Sequence, residues 1–265
     1  MRKSYAEPNI TWSTNLIGTL NLLEALKKLQ NKCAVVLITT DKVYKNNDQE
    51  NYFKETDPLG GYDPYSSSKA AAEIAIESFR SSFCGESNYQ KNNLLIASVR
   101  SGNVIGGGDW SKNRLIPDLV RNVSKKKITY IRRPKSIRPW QYVLKVLEGY
   151  LILAKKNYLS NSDQFDEPFN FGPRISECKS VYSVVKEFNN NLKTRVIYKS
   201  NIKKFKETDY LFLNSKKAKS KLNWLSSYSL KQTIKKTCVW YKNFYLKKCN
   251  IYNFSIKEIK DCLKI

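Results

Sequence analysis

Apolar positions along the chain alternate between helical spacing and short continuous runs. Leu16, Leu20, Leu23 and Leu26 recur at helical intervals within Thr11 to Leu29, which predicts an amphipathic helix with Gly18 admitting a close neighbour. Cys33 to Ile38 is then an unbroken apolar run rich in β-branched residues, the pattern of a strand covered on both faces in a parallel sheet. A polar loop follows through Gly61, and a helix is predicted from Pro64 to about Phe83. Leu94 to Val99 reads as a second buried strand, ending in Arg100-Ser101-Gly102-Asn103-Val104. Helix, strand, helix, strand is the order of the second half of a doubly wound α/β domain. In such domains ligands sit beyond the carboxyl ends of the strands.

The order is less regular beyond Pro117. The pattern predicts a helix to Ser124, a strand at Ile128 to Ile131, a loop through Arg138-Pro139-Trp140 and a helix from Val143 to Lys156. It continues with a strand and turn at Phe169 to Pro173, helices at Ser180 to Asn189 and Leu230 to Tyr245, and a strand at Arg195 to Tyr198. Lys247 to Ile265 reads as a lysine-rich, frayed tail. No internal repeat is present.

Composition narrows the class. The 265 residues are 41% hydrophobic and 12% aromatic, which is globular and not disordered. No apolar run reaches the ~20 residues of a membrane helix, and the first residues lack a signal-peptide stretch, so the expectation is a cytoplasmic protein. The net charge of +24 is spread along the chain with asparagine, the pattern of a solvated surface, and no nucleic-acid role is assigned. Histidine is absent and the six cysteines form no C-x-x-C pair, which argues against zinc and against imidazole catalysis.

Chemistry enters with Tyr65-Ser66-Ser67-Ser68-Lys69. Four residues is about one helical turn, so both functional side chains share a face. A phenol with a pKa near ~10 becomes a usable acid–base group when an ammonium beside it favours the phenolate. Thr40-Asp41-Lys42 falls at the end of one strand and Arg100 to Val104 at the end of the next, so three polar clusters converge on one edge.

Longer strings carry a more specific signal. They are Thr40-Asp41-Lys42, then Asp57-Pro58-Leu59-Gly60-Gly61-Tyr62-Asp63-Pro64-Tyr65-Ser66, and Gly102-Asn103-Val104-Ile105-Gly106-Gly107-Gly108-Asp109-Trp110. Arg138-Pro139-Trp140-Gln141 and Asn170-Phe171-Gly172-Pro173 add to them. Together they resemble the extended short-chain dehydrogenase/reductase family of nucleotide-sugar epimerases and dehydratases, and within it the CDP-glucose 4,6-dehydratases. The resemblance runs from residue 1 to about 245.

It implies NAD as cofactor, a nucleotide sugar, CDP-glucose, as substrate, and a homodimer. It also implies roles. Tyr65 would take the proton of the sugar 4-hydroxyl, Lys42 would remove the C5 hydrogen, and Asp41 would assist loss of the C6 hydroxyl. Thr40 would hydrogen-bond the sugar. Lys69, with Tyr65 and Thr39, would hold the cofactor, while Arg100, Asn103 and Arg138 would bind the substrate, the latter two at its diphosphate. The glycines Gly106 to Gly108 would let the backbone turn close to the substrate.

The implied fold is an incomplete Rossmann-type sheet over 1–116, a smaller substrate lobe over 117–245 with segments returning to the sheet, and the tail 246–265. The sequence departs from the family in three places. The opening strand, G-x-x-G-x-x-G turn and helix that hold the NAD pyrophosphate are absent, so an uncovered sheet edge is expected. Tyr142 stands where histidine is usual, and Asn214 where aspartate is usual. Three readings stay open: a dehydratase, an epimerase of the same family, and a non-catalytic remnant that binds a nucleotide or partner.

Overall fold

The computed structural model describes residues 2–84, 93–160, 162–199 and 208–264. In chain order the elements begin with α1 (Arg2–Ala6), α2 (Pro8–Trp12), a π-helical turn (Ser13–Ile17), α3 (Gly18–Leu26), β1 (Cys33–Ile38), a 3₁₀ turn (Asp41–Val43), β2 (Tyr52–Phe53), α4 (Pro64–Phe83) and β3 (Leu94–Ser101). They continue with β4 (Val104–Ile105), α5 (Leu115–Ser124), β5 (Ile128–Ile131), β6 (Ile137–Arg138), β7 (Gln141–Tyr142), α6 (Val143–Leu159) and β8 (Pro168–Phe171). After β9 (Lys179–Ser180) come α7 (Val181–Asn191), β10 (Arg195–Tyr198), β11 (Phe212–Leu213), α8 (Lys216–Leu222), α9 (Leu230–Leu246) and α10 (Ile251–Leu263).

Two compact units result. The first holds residues 1–102, 149–172 and 211–225; the second holds 103–148, 173–210 and 226–265. The boundary thus falls at Gly102 and not at 116, and two later segments return to the first unit.

In the first unit a parallel sheet runs β1-β3-β8, with Cys33 opposite Leu94 and Ser98 opposite Pro168. Central β3 is almost wholly buried, as its continuous apolar run demands. Leu23, Leu37, Ile76, Phe79, Leu94 and Ile96 form the core between this sheet and helices α3 and α4. Beyond the strand ends, Val43, Tyr44, Phe53, Ala70, Leu211 and Leu213 form a second core that seats the polar loop.

Two expectations fail here. β1 is only half-buried, and Ile38 is 55% exposed, because β1 lies at the edge of the described sheet. The segment Thr11 to Leu29 is not one amphipathic helix either. A π-helical turn interrupts it, Leu23 is its fully buried leucine, and Leu20 and Leu22 face outward. Gly18 makes no tight contact: a Cβ there would meet nothing nearer than the Ser13 carbonyl at 3.8 Å.

The second unit is built on α5, α7 and α9. Leu119, Val120, Val184, Val185, Phe188, Ile234 and Tyr241 fill its centre. β5 pairs with β10 in parallel, as the pattern at Ile128 to Ile131 and Arg195 to Tyr198 suggests. The lysine-rich tail departs from expectation. Residues 251–263 form α10, capped by Asn250 and docked on α9, with Glu258 accepting from Lys236 Nζ at 2.9 Å and from Tyr142 Oη at 3.1 Å. Ile265 lies outside the described residues.

Candidate active site

Asp63 and Gly61 make the start of α4. The Asp63 carboxylate accepts from the amides of Tyr65 (3.0 Å) and Ser66 (3.2 Å), and the Ser66 hydroxyl accepts from the Asp63 amide at 3.2 Å, a reciprocal cap with Pro64 in the first turn. Gly61 packs so closely on this turn that a Cβ would lie 2.4 Å from Ser66 Oγ and 2.5 Å from the Ser67 amide, so the position tolerates no side chain. The tyrosine is therefore presented from a fixed helix N-terminus.

One helical turn later, the half-buried Lys69 donates from Nζ to the carbonyl of Ile38 at 3.3 Å, at the carboxyl end of β1. Burial lowers the pKa of this lysine, and the nearby Glu73 carboxylate opposes that fall. The chain then passes through Thr39 and Thr40 into the 3₁₀ turn, which packs against α4. Thr40 caps the turn: its hydroxyl accepts from the Lys42 amide at 3.4 Å and donates to Asp41 Oδ1 at 3.1 Å. Asp41 is buried and Lys42 half-buried. The first unit thus brings Thr39, Thr40, Asp41 and Lys42 to the strand end against which the Tyr65–Lys69 helix packs.

Arg100 is not available there. Its guanidinium is 3% exposed and donates to Glu73 Oε2 at 2.8 Å, to Tyr44 Oη at 3.0 Å and to the Glu55 carbonyl at 3.0 Å. Burial works against its charge, but the Glu73 hydrogen bond and charge outweigh that and hold it ionised. The expectation that Arg100 binds substrate is corrected accordingly: the residue is an internal counter-ion. The Tyr44 hydroxyl passes the chain of bonds on to Asn170 Oδ1 at 2.7 Å, and the Asn170 amide donates to Glu55 Oε1 at 2.8 Å.

Asn103 and Arg138 belong to the second unit. The Asn103 carbonyl accepts from the Gln141 amide at 3.2 Å. Arg138 is buried, and its guanidinium donates to the carbonyls of Thr208 (2.6 Å) and Asp209 (3.1 Å), so binding an anion would require those bonds to be exchanged. In the glycine string, a Cβ on Gly107 would fall 2.1 Å from the Trp240 ring and one on Gly106 2.3 Å from Val143. These glycines make room for side chains of their own unit. Trp140 is buried with Nε1 bonded to the Lys179 carbonyl at 2.8 Å, whereas Trp110 is part-exposed against Tyr241, Phe244 and Tyr245.

Sequence reasoning missed Glu73, Ser98, Tyr44 and Glu55. For Glu73 a signal was present: it follows Lys69 by four residues, on the face that already carries Tyr65.

Comparison with known proteins adds a lineage to this geometry. The sequence pattern of the family described as GDP-mannose 4,6 dehydratase matches residues 1–237. A CDP-glucose 4,6-dehydratase of Salmonella typhimurium is 42% identical over 243 residues, covering 91% of this chain and 67% of that protein. The chain thus spans about two thirds of the length of that relative. A dTDP-glucose 4,6-dehydratase from Bacillus anthracis, solved with NAD, has a TM-score of 0.72 at 24% identity, over 88% of this chain and 68% of its own. A dTDP-glucose 4,6-dehydratase from Streptomyces venezuelae gives 0.74 at 20% identity, over 91% and 70%. At these identities the structural likeness speaks for the fold, a Rossmann-like α/β sheet.

Proposed function

The chain belongs to the GDP-mannose 4,6-dehydratase family, and from that premise we propose that it is an NAD-dependent nucleotide-sugar 4,6-dehydratase that converts CDP-glucose to CDP-4-keto-6-deoxyglucose. The observation that carries the reading is the packing of the Thr40-Asp41-Lys42 turn against the helix of Tyr65 and Lys69, with Lys69 anchored on the Ile38 carbonyl at 3.3 Å. The substrate and the cofactor come from the relatives, whose names carry CDP-glucose in one case and NAD in another.

The residues suit the ribose end of a nicotinamide nucleotide. A half-buried ammonium and a half-buried phenol lie one turn apart on a helix packed against a strand end; the Thr39 hydroxyl, expected at the cofactor, is buried and donates to Glu73 instead. When bound, NAD supplies the acceptor and later the donor of the hydride. The remaining work falls to side chains. Tyr65 takes the proton of the sugar 4-hydroxyl as C4 is oxidised, and Lys69 favours its phenolate. Thr40 hydrogen-bonds the sugar. The 4-ketone makes the C5 hydrogen acidic, and Lys42, acting as a base once it has shed its own proton, removes it. Asp41 delivers a proton to the departing C6 hydroxyl, which leaves as water, and the proton taken up by Lys42 returns to C5 as the hydride comes back to C6. Asn103 and Arg138 are the groups proposed for the diphosphate, Arg138 by exchanging its bonds to the Thr208 and Asp209 carbonyls.

Asp41 and Lys42 favour the dehydratase over an epimerase, which eliminates nothing and needs neither. The six cysteines are unbridged, which supports a reducing compartment such as the cytoplasm. Among the described residues no helix is long and apolar enough to cross a membrane.

The test is direct. Purified protein is incubated with CDP-glucose and NAD, and the 4-keto-6-deoxy product is followed in wild type and in Tyr65→Phe. The expected result is turnover that falls by about 10²- to 10⁴-fold in the variant. No product from wild type, or equal product from both, would sink the reading.

A further inference from the structure

Tyr65, Lys69 and Glu73 stand at successive intervals of four on α4 and so share one helix face. Glu73 is 3% exposed and both its oxygens are used. One accepts from the Thr39 hydroxyl; the other accepts from Ser98 Oγ and from Arg100 Nη2, both at 2.8 Å. These partners come from two adjacent strand ends: Thr39 directly follows β1, and Ser98 and Arg100 lie in the last four residues of β3. Lys69 grips the residue before Thr39, at the Ile38 carbonyl. Consecutive residues of one strand end are therefore held by consecutive turns of the helix that carries Tyr65.

A buried ion pair adds little stability over an apolar pair of similar volume, because desolvation of both ions offsets their attraction. Stability alone thus gives no reason for charges at 73 and 100. The geometry points to Glu73 as a positioning residue for the Tyr65–Lys69 pair: clamped by Arg100, its carboxylate fixes the end of β1 against α4 and so sets the Ile38 carbonyl where the Lys69 ammonium bonds it. This role rests on the acid–base function proposed above for Tyr65 and Lys69.

The electrostatics agree. Lys69 shares its helix with Tyr65 and Glu73, and the elements packed against that helix bring Asp41 and Lys42 on the 3₁₀ turn and Arg100 on β3. The helices α1, α2 and α3 also pack on it and bring Lys3, the α2 cap Glu7, Glu24 and the α3 cap Lys27. Burial pushes the lysine toward neutrality, and Glu73 pushes it back.

The test reads Lys69 itself. The full-length protein is acetylated with a small amine-reactive ester across a pH series, and the Lys69 peptide is quantified by mass spectrometry in wild type, in Glu73→Gln and in the double variant Glu73→Leu/Arg100→Met. The double variant covers the case in which Glu73→Gln leaves Arg100 without its counter-ion and fails to fold; melting curves decide which variant is read. The expected result is a Lys69 reactivity midpoint lowered by about one pH unit, with exposed Lys3 unchanged in the same digest. In the dehydratase assay kcat falls about 10- to 100-fold while KM stays within about threefold. An unmoved Lys69 midpoint in a folded variant overturns the inference, as does a moved midpoint with undiminished kcat. A wild type that makes no product sinks the proposed function instead, and the reactivity midpoint still decides whether Glu73 governs Lys69.

Discussion

Single side chains fix the acid–base helix, and their loss has calculable effects. Removing the cap in Asp63→Ala deprives the amides of Tyr65 and Ser66 of their acceptor. The expected cost is ~1–2 kcal/mol, read as a lower urea midpoint, with lower turnover because the displaced residue is Tyr65 itself. Asp166 gives a pH-dependent case. Burial raises its pKa to about 6, against the hydrogen bond from Asn157. Because the folded value lies above the unfolded one, its contribution is fully present below about pH 4 and is lost as pH rises through about 6. Asp166→Asn should therefore raise stability at pH 8 by ~1–2 kcal/mol, after allowance for partial exposure, and change little at pH 4. Denaturant melts at the two pH values check this; a gain of equal size at both would refute it. At this scale Tyr65 and Lys69 were legible because their spacing is local. The burial of Arg100 was not, since its counter-ion lies 27 residues away on another element.

Elements read from apolar spacing largely hold where flanking signals are chemical: Asp63-Pro64 opens α4, and Ser229 with Gln232 opens α9. The tail was misread because its lysines hide an inward face of mixed apolar and hydrogen-bonding residues. Ile251, Ser255, Glu258 and Cys262 repeat at helical intervals behind the Asn250 cap, and Ser255 accepts from Trp240 Nε1 at 2.9 Å. Composition argued for fraying, whereas docking on α9 supplies the burial that a lone helix lacks. Glu258→Ala removes the acceptor shared by Lys236 and Tyr142. Amide exchange in α10 should quicken about tenfold, equivalent to ~1–2 kcal/mol of local opening, with the core of α7 unaffected. Unchanged exchange in α10 would show that its apolar contacts suffice.

For the whole molecule, the pattern gave the parallel sheet, and of the three polar clusters expected at one edge the first unit brings together the Thr40-Asp41-Lys42 turn and the Tyr65–Lys69 helix, while Arg100 turns inward to Glu73. It gave the unit boundary less well, because residues 149–172 and 211–225 return to the first unit by contacts that no local pattern encodes. Helices α3 and α4 also leave Leu20, Leu22 and Ile74 exposed, an apolar area that fits pairing of two copies. We expect a homodimer by sedimentation at micromolar concentration, and a monomer for Leu22→Lys with Ile74→Lys; a monomeric wild type would dismiss the pairing. The charge of +24 should also draw anionic nucleotides, so the apparent KM for the sugar nucleotide should rise with added salt.

The buried bond between Glu73 and Arg100 has a consequence for descent. Losing either partner first leaves an ion stranded in the interior, at a cost of about 3–5 kcal/mol, a large share of what a domain of this size has to spare. A lineage can change both positions only by crossing that valley or by changing them almost together. Among diverging copies of this gene, residues 73 and 100 should therefore vary as one character, while their exposed neighbours Glu77 and Ser78 drift independently.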